Sequence, residues 1–216
     1  MGEGNKEDKE KTVSEFISAV SGGSPTPGGG SVSALSGGLA SALVEMVANL
    51  TLDRKGFEDH REMMTGIRDA ARSCCKELMA AVSEDSRVYL KVMEAYRLPR
   101  GDEEEKKRRS LEIQERLKKA ADIPAVTAKA SLRVLEICLQ VVKYGNPNAI
   151  TDGGVGALLA HAAMEGAILN VRVNLSRIKD RKYKEAMESD LELLKRRGDE
   201  LKEQILAVVK EKMAIS

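Results

Sequence analysis

Apolar residues recur every three or four positions along nearly the whole chain, and this spacing constrains the fold more than any other feature. Ile67, Cys74, Leu78 and Val82, for example, share one face of a helix. The alternation of apolar and polar residues that is typical of a half-buried strand is not found in the sequence. The pattern therefore predicts an all-α protein, a multihelical bundle of long antiparallel helices. The predicted helices cover about residues 12–20, 31–51, 57–97, 102–143, 152–177 and 180–213.

Several helix ends and interruptions can be read from single residues. Thr12 and Glu15 form a capping-box motif at the start of the first helix. Thr151 or Asp152 is the N-cap candidate of the fifth helix. Pro124 lacks a backbone donor and predicts a kink or break near residue 123. The third helix would span roughly 60 Å without interruption, so a break inside it is also expected.

Length and composition limit the classes of protein that this chain can represent. Its 216 residues suit a single domain over residues 12–216, and the polar segment 1–11 is expected to be a disordered tail without a signal-peptide core. The net charge is +1, aromatic residues make up 3% and there is no Trp, which argues against nucleic-acid binding. No membrane span is expected. Three cysteines without a metal-binding or disulfide spacing predict no metal site and a cytoplasmic location.

A glycine-rich segment lies immediately before the second predicted helix. Residues 22–31 read Gly-Gly-Ser-Pro-Thr-Pro-Gly-Gly-Gly-Ser. Glycines let the backbone approach a ligand closely, and a helix start presents unpaired N–H groups with a partial positive charge. The segment is therefore a candidate site for a carboxylate, a phosphate or the polar edge of a heterocycle. It lacks the Gly-Lys-Ser/Thr ending of a P-loop, and no strand precedes it, which excludes that nucleotide motif.

Acidic residues on helices form the second group of candidates. Asp85 lies on or beside the apolar face of the third helix, where a carboxylate is either paired, for instance with Arg87, or functional. We weigh these two alternatives equally. Asp152 is first an N-cap candidate, although a cap at a glycine-rich helix start can also border a ligand.

Two further polar features allow a structural and a functional interpretation. Asn170 and Asn174 are one helical turn apart, and hydrogen bonding between helices is favoured over recognition of a ligand. Lys55 follows the second helix, where a cation is stabilised by the helix dipole. Its alternative role is a clamp for a substrate carboxylate.

Several motifs together resemble one known family. They occur in the same order as in that family and extend over about residues 12–210, nearly the whole chain. The motifs are Pro27-Gly28-Gly29-Gly30-Ser31, Met46-Val47-Ala48-Asn49-Leu50-Thr51, Asp85 with Tyr89 and Met93, Gly145-Asn146-Pro147-Asn148, Asp152-Gly153-Gly154-Val155-Gly156-Ala157, and Asn170-Val171 with Asn174-Leu175. On these residues the chain resembles the cyclodeaminase/cyclohydrolase family of folate enzymes.

The resemblance implies an all-helical homodimer with a reduced-folate site near the subunit interface. The implied reaction converts 5-formiminotetrahydrofolate to 5,10-methenyltetrahydrofolate and ammonia. The alternatives are a methenyltetrahydrofolate cyclohydrolase that gives 10-formyltetrahydrofolate, a non-catalytic folate-binding bundle, and a purely structural bundle. No metal and no cofactor beyond the tetrahydrofolate substrate are implied.

The resemblance also suggests roles for individual residues. Asp85 would carry the proton, and Asp152 would orient the pterin or assist. Asn146 and Asn170 would donate or accept amide hydrogen bonds, and Lys55 would meet the glutamate tail of the folate. The expected backbone and hydroxyl contacts come from Gly28, Gly29, Gly30 and Ser31.

Overall fold

The computed structural model describes residues 7–214, and within this range it contains six α-helices and no strand. The predicted all-α class is confirmed. Short connections join the helices, and three 3-10 turns occur at Asp8–Glu10, Glu58–His60 and Pro147–Ala149. The helices are α1 (Val13–Val20), α2 (Gly29–Leu52), α3 (Arg61–Tyr96), α4 (Glu103–Tyr144), α5 (Ile150–Leu175) and α6 (Arg181–Ala214).

Helix α2 is the central element and packs against α3, α4 and α5. Small residues permit this close approach: a Cβ added at Gly37 would lie 3.0 Å from Leu78 Cδ2 on α3. Ser41 is fully buried, and its hydroxyl donates to the carbonyl of Ala71 at 2.6 Å. The low helix propensity of glycine and serine is therefore offset by packing that larger side chains would prevent.

A kink or a break was expected near residue 123, and helix α4 runs through Pro124 without a break. Proline has no N–H, which leaves the carbonyl of Ala120, four residues earlier, without its helical partner. Asn174 Nδ2 on α5 donates to that carbonyl at 3.1 Å. A neighbouring helix thus supplies the hydrogen bond that the proline cannot make, and the helix continues.

Two expectations about helix ends and breaks are wrong. Helix α3 is continuous from Arg61 to Tyr96, with only the turn Glu58–His60 before it. Asp152 is not an N-cap, because α5 already begins at Ile150 and Asp152 lies within its first turn. The turn Pro147–Ala149 leads directly into α5, and Asn146 caps it by accepting from the Asn148 N–H at 3.0 Å.

The N-terminal segment is folded against α3 as far as it is described. Residues 1–6 of the expected disordered tail lie outside the described range, whereas Asp8–Glu10 form a 3-10 turn. The Lys9 N–H donates to Ser83 Oγ at 3.0 Å, and Arg87 Nη2 donates to Glu7 Oε1 at 3.0 Å. Polar contacts with α3 therefore hold a segment whose composition alone suggested disorder.

Candidate active site

A pocket of about 240 Å³ lies where α2 begins. Its walls are the loop before α2, the second half of α3, the middle of α4 and the last turns of α5. The apolar part of the lining comes from Val88, Val92, Met93, Leu117, Ala120 and Val173. The polar part comes from Thr26, Asp85, Tyr89, Asn170, Asn174 and Arg177. An apolar pocket with a few convergent polar groups is the usual form of a small-molecule site.

The glycines at the start of α2 are in direct contact with two of these polar side chains. A Cβ added at Gly30 would lie 2.1 Å from Asp85 Oδ1, which is an impossible distance. A Cβ added at Gly29 would lie 3.3 Å from Asn170 Nδ2. Gly28 is the N-cap in extended conformation, so Gly29 and Gly30 are the first residues of the helix. The chain therefore uses glycine here because the Asp85 carboxyl and the Asn170 amide are pressed against the helix start.

Asp85 is half-buried and its carboxyl accepts a hydrogen bond from Ser31 Oγ at 3.1 Å. Burial raises the pKa of Asp85, the Ser31 hydrogen bond opposes part of this effect, and the negative charge of Asp8 raises the pKa further. The alternative of an ion pair with Arg87 is not realised, because Arg87 pairs with Glu84 at 2.6 Å and with Glu7. The arrangement favours a carboxyl group that keeps its proton above the usual pH range of an aspartic acid.

The two asparagines of α5 have different partners. Asn174 Nδ2 donates to the Asn170 carbonyl at 2.9 Å, and on α4 to the Ala120 carbonyl freed by Pro124, so it makes the hydrogen bond between helices expected from sequence. Asn170 Nδ2 donates within its own helix to the Gly166 carbonyl at 2.8 Å and lines the pocket beside Gly29.

Arg177 was not among the sequence candidates. It is exposed at the pocket edge, just after α5. The spacing of Asn170, Asn174 and Arg177 is the signal that could have identified it, because residues separated by four and three positions share one helix face.

Lys55, Asn146 and Asp152 lie at the opposite end of the bundle. Asn146 is held at the C-terminal end of α2, since its N–H donates to Thr51 Oγ1 at 2.9 Å and its Nδ2 donates to the Leu50 carbonyl at 3.3 Å. Helix α2 has 24 residues and is therefore about 36 Å long. Within one copy of the chain, these three residues do not line the pocket at Gly29 and Gly30.

A larger groove, of about 330 Å³, lies beside α3 and α4. It is lined by residues such as Ala81, Glu84, Ile123 and Val126 and by Glu7 and Lys9 of the N-terminal segment. None of the catalytic or substrate-binding candidates from the sequence borders it, and Arg87, considered only as an ion-pair partner of Asp85, is the one residue of that discussion in its lining. Its size alone therefore does not make it the better candidate.

Among residues 7–214, His161, Glu165 and Asp199 form a group of three possible metal ligands. Their ligand atoms lie within 4.8 Å of one another. The Lys195 ammonium is 2.8 Å from Glu165 Oε1 and 3.4 Å from Asp199 Oδ2, and His161 Nε2 is 2.7 Å from Asp199 Oδ1. Lys195 already supplies the positive charge that a metal ion would bring. We therefore interpret the group as an ion-pair network between α5 and α6.

Fold and site together define a helical bundle in which one half-buried carboxyl group, that of Asp85, lines a pocket of small-molecule size. Residues 12–193 match the family model described as formiminotransferase-cyclodeaminase. The chain therefore belongs to the formiminotransferase-cyclodeaminase family, as the sequence motifs indicated.

Individual relatives differ in how much of their length is matched. The methenyltetrahydrofolate cyclohydrolase of Methylorubrum extorquens is 34% identical, with 94% of this chain and 98% of that protein covered. The formimidoyltransferase-cyclodeaminase of Gallus gallus is 35% identical over 81% of this chain, but only 32% of its own length is matched. The crystal structure of formiminotetrahydrofolate cyclodeaminase from Thermotoga maritima matches with a TM-score of 0.85 at 29% identity, covering 94% of this chain and 98% of that one.

Proposed function

We propose that this protein is a folate one-carbon enzyme that converts 5-formiminotetrahydrofolate to 5,10-methenyltetrahydrofolate and ammonia. Two relatives that carry the cyclodeaminase name, one of them matched over nearly its whole length, support the substrate class. The observation that carries the proposal is the Asp85 carboxyl, half-buried and in contact with the glycine start of α2. A carboxyl group with a raised pKa at that position is suited to act as a general acid.

The reaction needs two kinds of assistance from the protein. N10 of the folate attacks the carbon of the protonated formimino group on N5 and loses its proton, and the departing NH2 group must gain one proton to leave as ammonia. Asp85 in its protonated form donates to the departing nitrogen and, once ionised, accepts the N10 proton. The pocket walls hold N5 and N10 close enough for ring closure, and this orientation accelerates the reaction because less entropy is lost on reaching the transition state.

The polar rim of the pocket accounts for the binding of the remaining folate. Gly29 and Gly30 bring backbone N–H groups of the helix start to the ligand, with Gly28 and Ser31 on either side. Asn170 provides an amide edge for the pterin. Arg177 binds the glutamate carboxylate, because a guanidinium at the pocket edge can pair with it in bidentate geometry.

A homodimer is part of the proposal, because α2 and α5 carry exposed apolar side chains along neighbouring faces. On α2 these are Val32, Leu39, Met46 and Leu50, each between 37% and 54% exposed. On α5 they are Val155, Leu158, Leu169 and Val173, each between 48% and 66% exposed. A continuous apolar surface of this kind is a common mark of an interface between proteins.

A second copy fits this surface better than a lipid bilayer. By length and composition both helices could cross a membrane, but about half of each apolar window is buried within the bundle. Moreover, Glu45 on α2 pairs with Arg72, and Arg172 on α5 pairs with Glu188 and Glu192. These charged pairs tie both helices to their neighbours and would be costly in hydrocarbon.

A dimer would also allow Lys55, Asn146 and Asp152, which lie far from the pocket within one copy, to contribute to the site of the other copy. Val173 belongs both to the pocket lining and to the apolar surface, so a partner would close one side of a pocket that is small for a folate. An antiparallel partner would bring its own Lys55, Asn146 and Asp152 toward that opening. We propose these three residues as contributions from across the interface, with Lys55 near the folate tail.

Methenyltetrahydrofolate cyclohydrolase activity is the second candidate. The near end-to-end match with the Methylorubrum extorquens protein favours it specifically. Both reactions pass through a tetrahedral carbon between N5 and N10, and a single carboxyl can serve both by moving protons.

One assay separates the two reactions. The purified protein is incubated with 5-formiminotetrahydrofolate and, separately, with 5,10-methenyltetrahydrofolate, and the methenyl absorbance is followed. A rise in the first incubation with release of ammonia supports the cyclodeaminase. A catalysed fall in the second alone supports the cyclohydrolase, and no change in either contradicts an enzymatic function.

The dimer is tested separately by light scattering after size exclusion. Wild type is expected at twice the chain mass of 23.5 kDa. Leu39→Glu is expected to elute as a monomer, whereas Leu111→Glu, which changes an even more exposed leucine on α4, keeps the wild-type mass. A monomeric wild type, or a dimeric Leu39→Glu protein, contradicts the proposed interface.

A further inference from the structure

We propose that Asp8 of the N-terminal segment is a positioning residue that controls where the proton of Asp85 resides. It acts through the hydroxyl groups of Ser86 and Ser31, which connect the two carboxyls. The inference rests on the proposed function in one respect, namely that Asp85 carries the proton in the reaction.

Three contacts form the connection. Ser86 Oγ donates to Asp8 Oδ2 at 2.6 Å. Ser31 Oγ and Ser86 Oγ are 3.4 Å apart, and either can be the donor. Ser31 Oγ donates to Asp85 Oδ2 at 3.1 Å. These hydrogen bonds thus connect the N-terminal segment to the pocket through Ser31 of α2 and Ser86 of α3.

The number of hydrogens in this chain determines how the two carboxyls behave. Each serine hydroxyl has one hydrogen, so two hydrogens serve three contacts when both carboxyls are ionised. One contact then lacks a hydrogen. A single additional proton, on Asp8 or on Asp85, allows all three contacts to form at once. The two carboxyls therefore share one proton and titrate as a coupled pair.

The surroundings of the two carboxyls decide which of them holds that proton. Asp8 Oδ1 accepts a hydrogen bond from the Lys11 ammonium, so a positive charge lies at the Asp8 end of the hydrogen-bonded connection. The Asp8 side chain is only 9% exposed, so solvent screens this charge weakly. Ionised Asp8 in turn raises the pKa of Asp85, adding to the effect of burial. The proton is therefore held on Asp85, next to the pocket.

Asp8 is the acidic group that we expect to control the Asp85 proton, because the other groups facing Asp85 carry no negative charge. In the pocket, Tyr89 on α3 and Arg177 after α5 are the other titratable groups among the described residues. The start of α2 contributes Ser31 and glycines, and α4 contributes Leu117 and Ala120, none of which is charged.

Asp8 also borders an open depression on the outer side of the loop before α2. Lys11, Thr26, Pro27 and Ser86 line the same depression, and Thr26 lines the pocket as well. Solvent therefore reaches Asp8, at the far end of the hydrogen-bonded connection, without passing through the pocket. This gives the Asp85 proton an exchange route that remains open when substrate fills the site.

The test is the pH–rate profile of three variants. Asp8→Asn removes the negative charge, so the limb of the profile that reports Asp85 moves to lower pH. Glu10→Gln removes the same charge from an exposed neighbour in the same turn and leaves the limb in place. Ser86→Ala keeps the charge but frees Ser31 to donate to Asp85 permanently, which also moves the limb to lower pH.

A profile that is unchanged in Asp8→Asn, or that moves equally in Glu10→Gln, overturns the proposal. A limb that moves in Asp8→Asn but not in Ser86→Ala reduces the effect to charge through space and overturns the hydrogen-bonded chain. The ¹³C NMR titration of the Asp85 carboxyl, assigned with Asp85→Asn, gives the same answer without turnover. If wild type converts neither folate, the proposed function fails, while the NMR titration still decides whether Asp8 controls Asp85.

Discussion

The starts of α2 and α5 are both rich in glycine, yet the glycines do different things. At the start of α2, a Cβ on Gly30 would lie 2.1 Å from the Asp85 carboxylate oxygen. At the start of α5, a Cβ on Gly153 would lie 2.5 Å from Val142 Cγ1, and one on Gly154 would meet Val209 at 3.4 Å. The first helix start faces polar side chains in a pocket, and the second faces the apolar core.

A glycine-rich helix start is therefore ambiguous until the facing side chains are known. Both starts expose backbone donors in principle, and this was the reason for placing Asp152 beside a ligand. In the structure, Gly153 and Gly154 are buried against valines, and Asp152 lies at that end of the bundle. The donor groups of a helix start can serve a ligand only where the neighbouring elements leave space and supply chemistry.

The largest expected effect comes from Asp85→Asn, which removes the proton carrier at the α2 start. We expect turnover of the preferred folate to fall by about 10²- to 10⁴-fold, the usual contribution of a general acid. The measurement is kcat with a circular dichroism check of helicity. Glu84→Gln, which changes the neighbouring acid that pairs with Arg87, is expected to retain activity. Full turnover of Asp85→Asn would place the chemistry elsewhere.

An alanine substitution at the start of α2 should lower activity, whereas one at the start of α5 should lower stability. Gly30→Ala displaces the Asp85 carboxyl, and we expect kcat to fall by about 100-fold because the reacting group is misplaced. Gly153→Ala overpacks the core beside Val142 and should cost about 1–3 kcal/mol of unfolding free energy with kcat unchanged. Urea unfolding and steady-state kinetics of both variants measure this. Equal losses of activity in the two variants would contradict the distinction between them.

Arg177→Gln probes the edge of the pocket at the α2 start. Loss of a charged hydrogen bond to the folate tail should raise KM about tenfold with little change in kcat. Lys179→Gln removes a similar charge two residues later, outside the pocket lining, and should leave KM unchanged. If the two variants behave alike, Arg177 contributes only general electrostatic attraction.

The smallest expected effect is the change in unfolding free energy caused by Asp85→Asn. It measures how much the half-buried Asp85 carboxyl destabilises the folded protein. Because its pKa is raised in the folded state, the native protein binds this proton more tightly than the unfolded chain does. The contribution of Asp85 to stability therefore falls as pH rises from its unfolded pKa through its folded pKa. We expect Asp85→Asn to be about 1 kcal/mol more stable than wild type at neutral pH. The difference should vanish below about pH 3, where the carboxyl is protonated in both states, and chemical denaturation at both pH values measures it.

Much of the fold could be predicted from the sequence, because apolar spacing reports helices directly. The six predicted helices are present, and α1 begins after the predicted Thr12–Glu15 capping box. Local patterns are least informative where a distant element intervenes. Pro124 does not break α4, since Asn174 on another helix bonds the carbonyl that the proline leaves free. No local pattern reveals such a partner.

The candidate site was predictable only in part for the same reason. Gly29, Gly30, Asp85 and Asn170 were each recognisable as unusual residues, but their contact depends on how α2, α3 and α5 pack. Asp8 was assigned to a disordered tail because its neighbours are polar, and only the folded chain places it beside Ser86. Composition gives no information about such pairings.

The most direct test of the account is a crystal structure of Asp85→Asn with 5,10-methenyltetrahydrofolate bound. We predict that the carbon between N5 and N10 lies beside residue 85, that N5 or N10 is within about 3.2 Å of its amide, and that the ligand edge contacts the backbone at Gly29 and Gly30. Ligand bound in the groove beside Ala81 and Ile123, away from residue 85, would contradict the account.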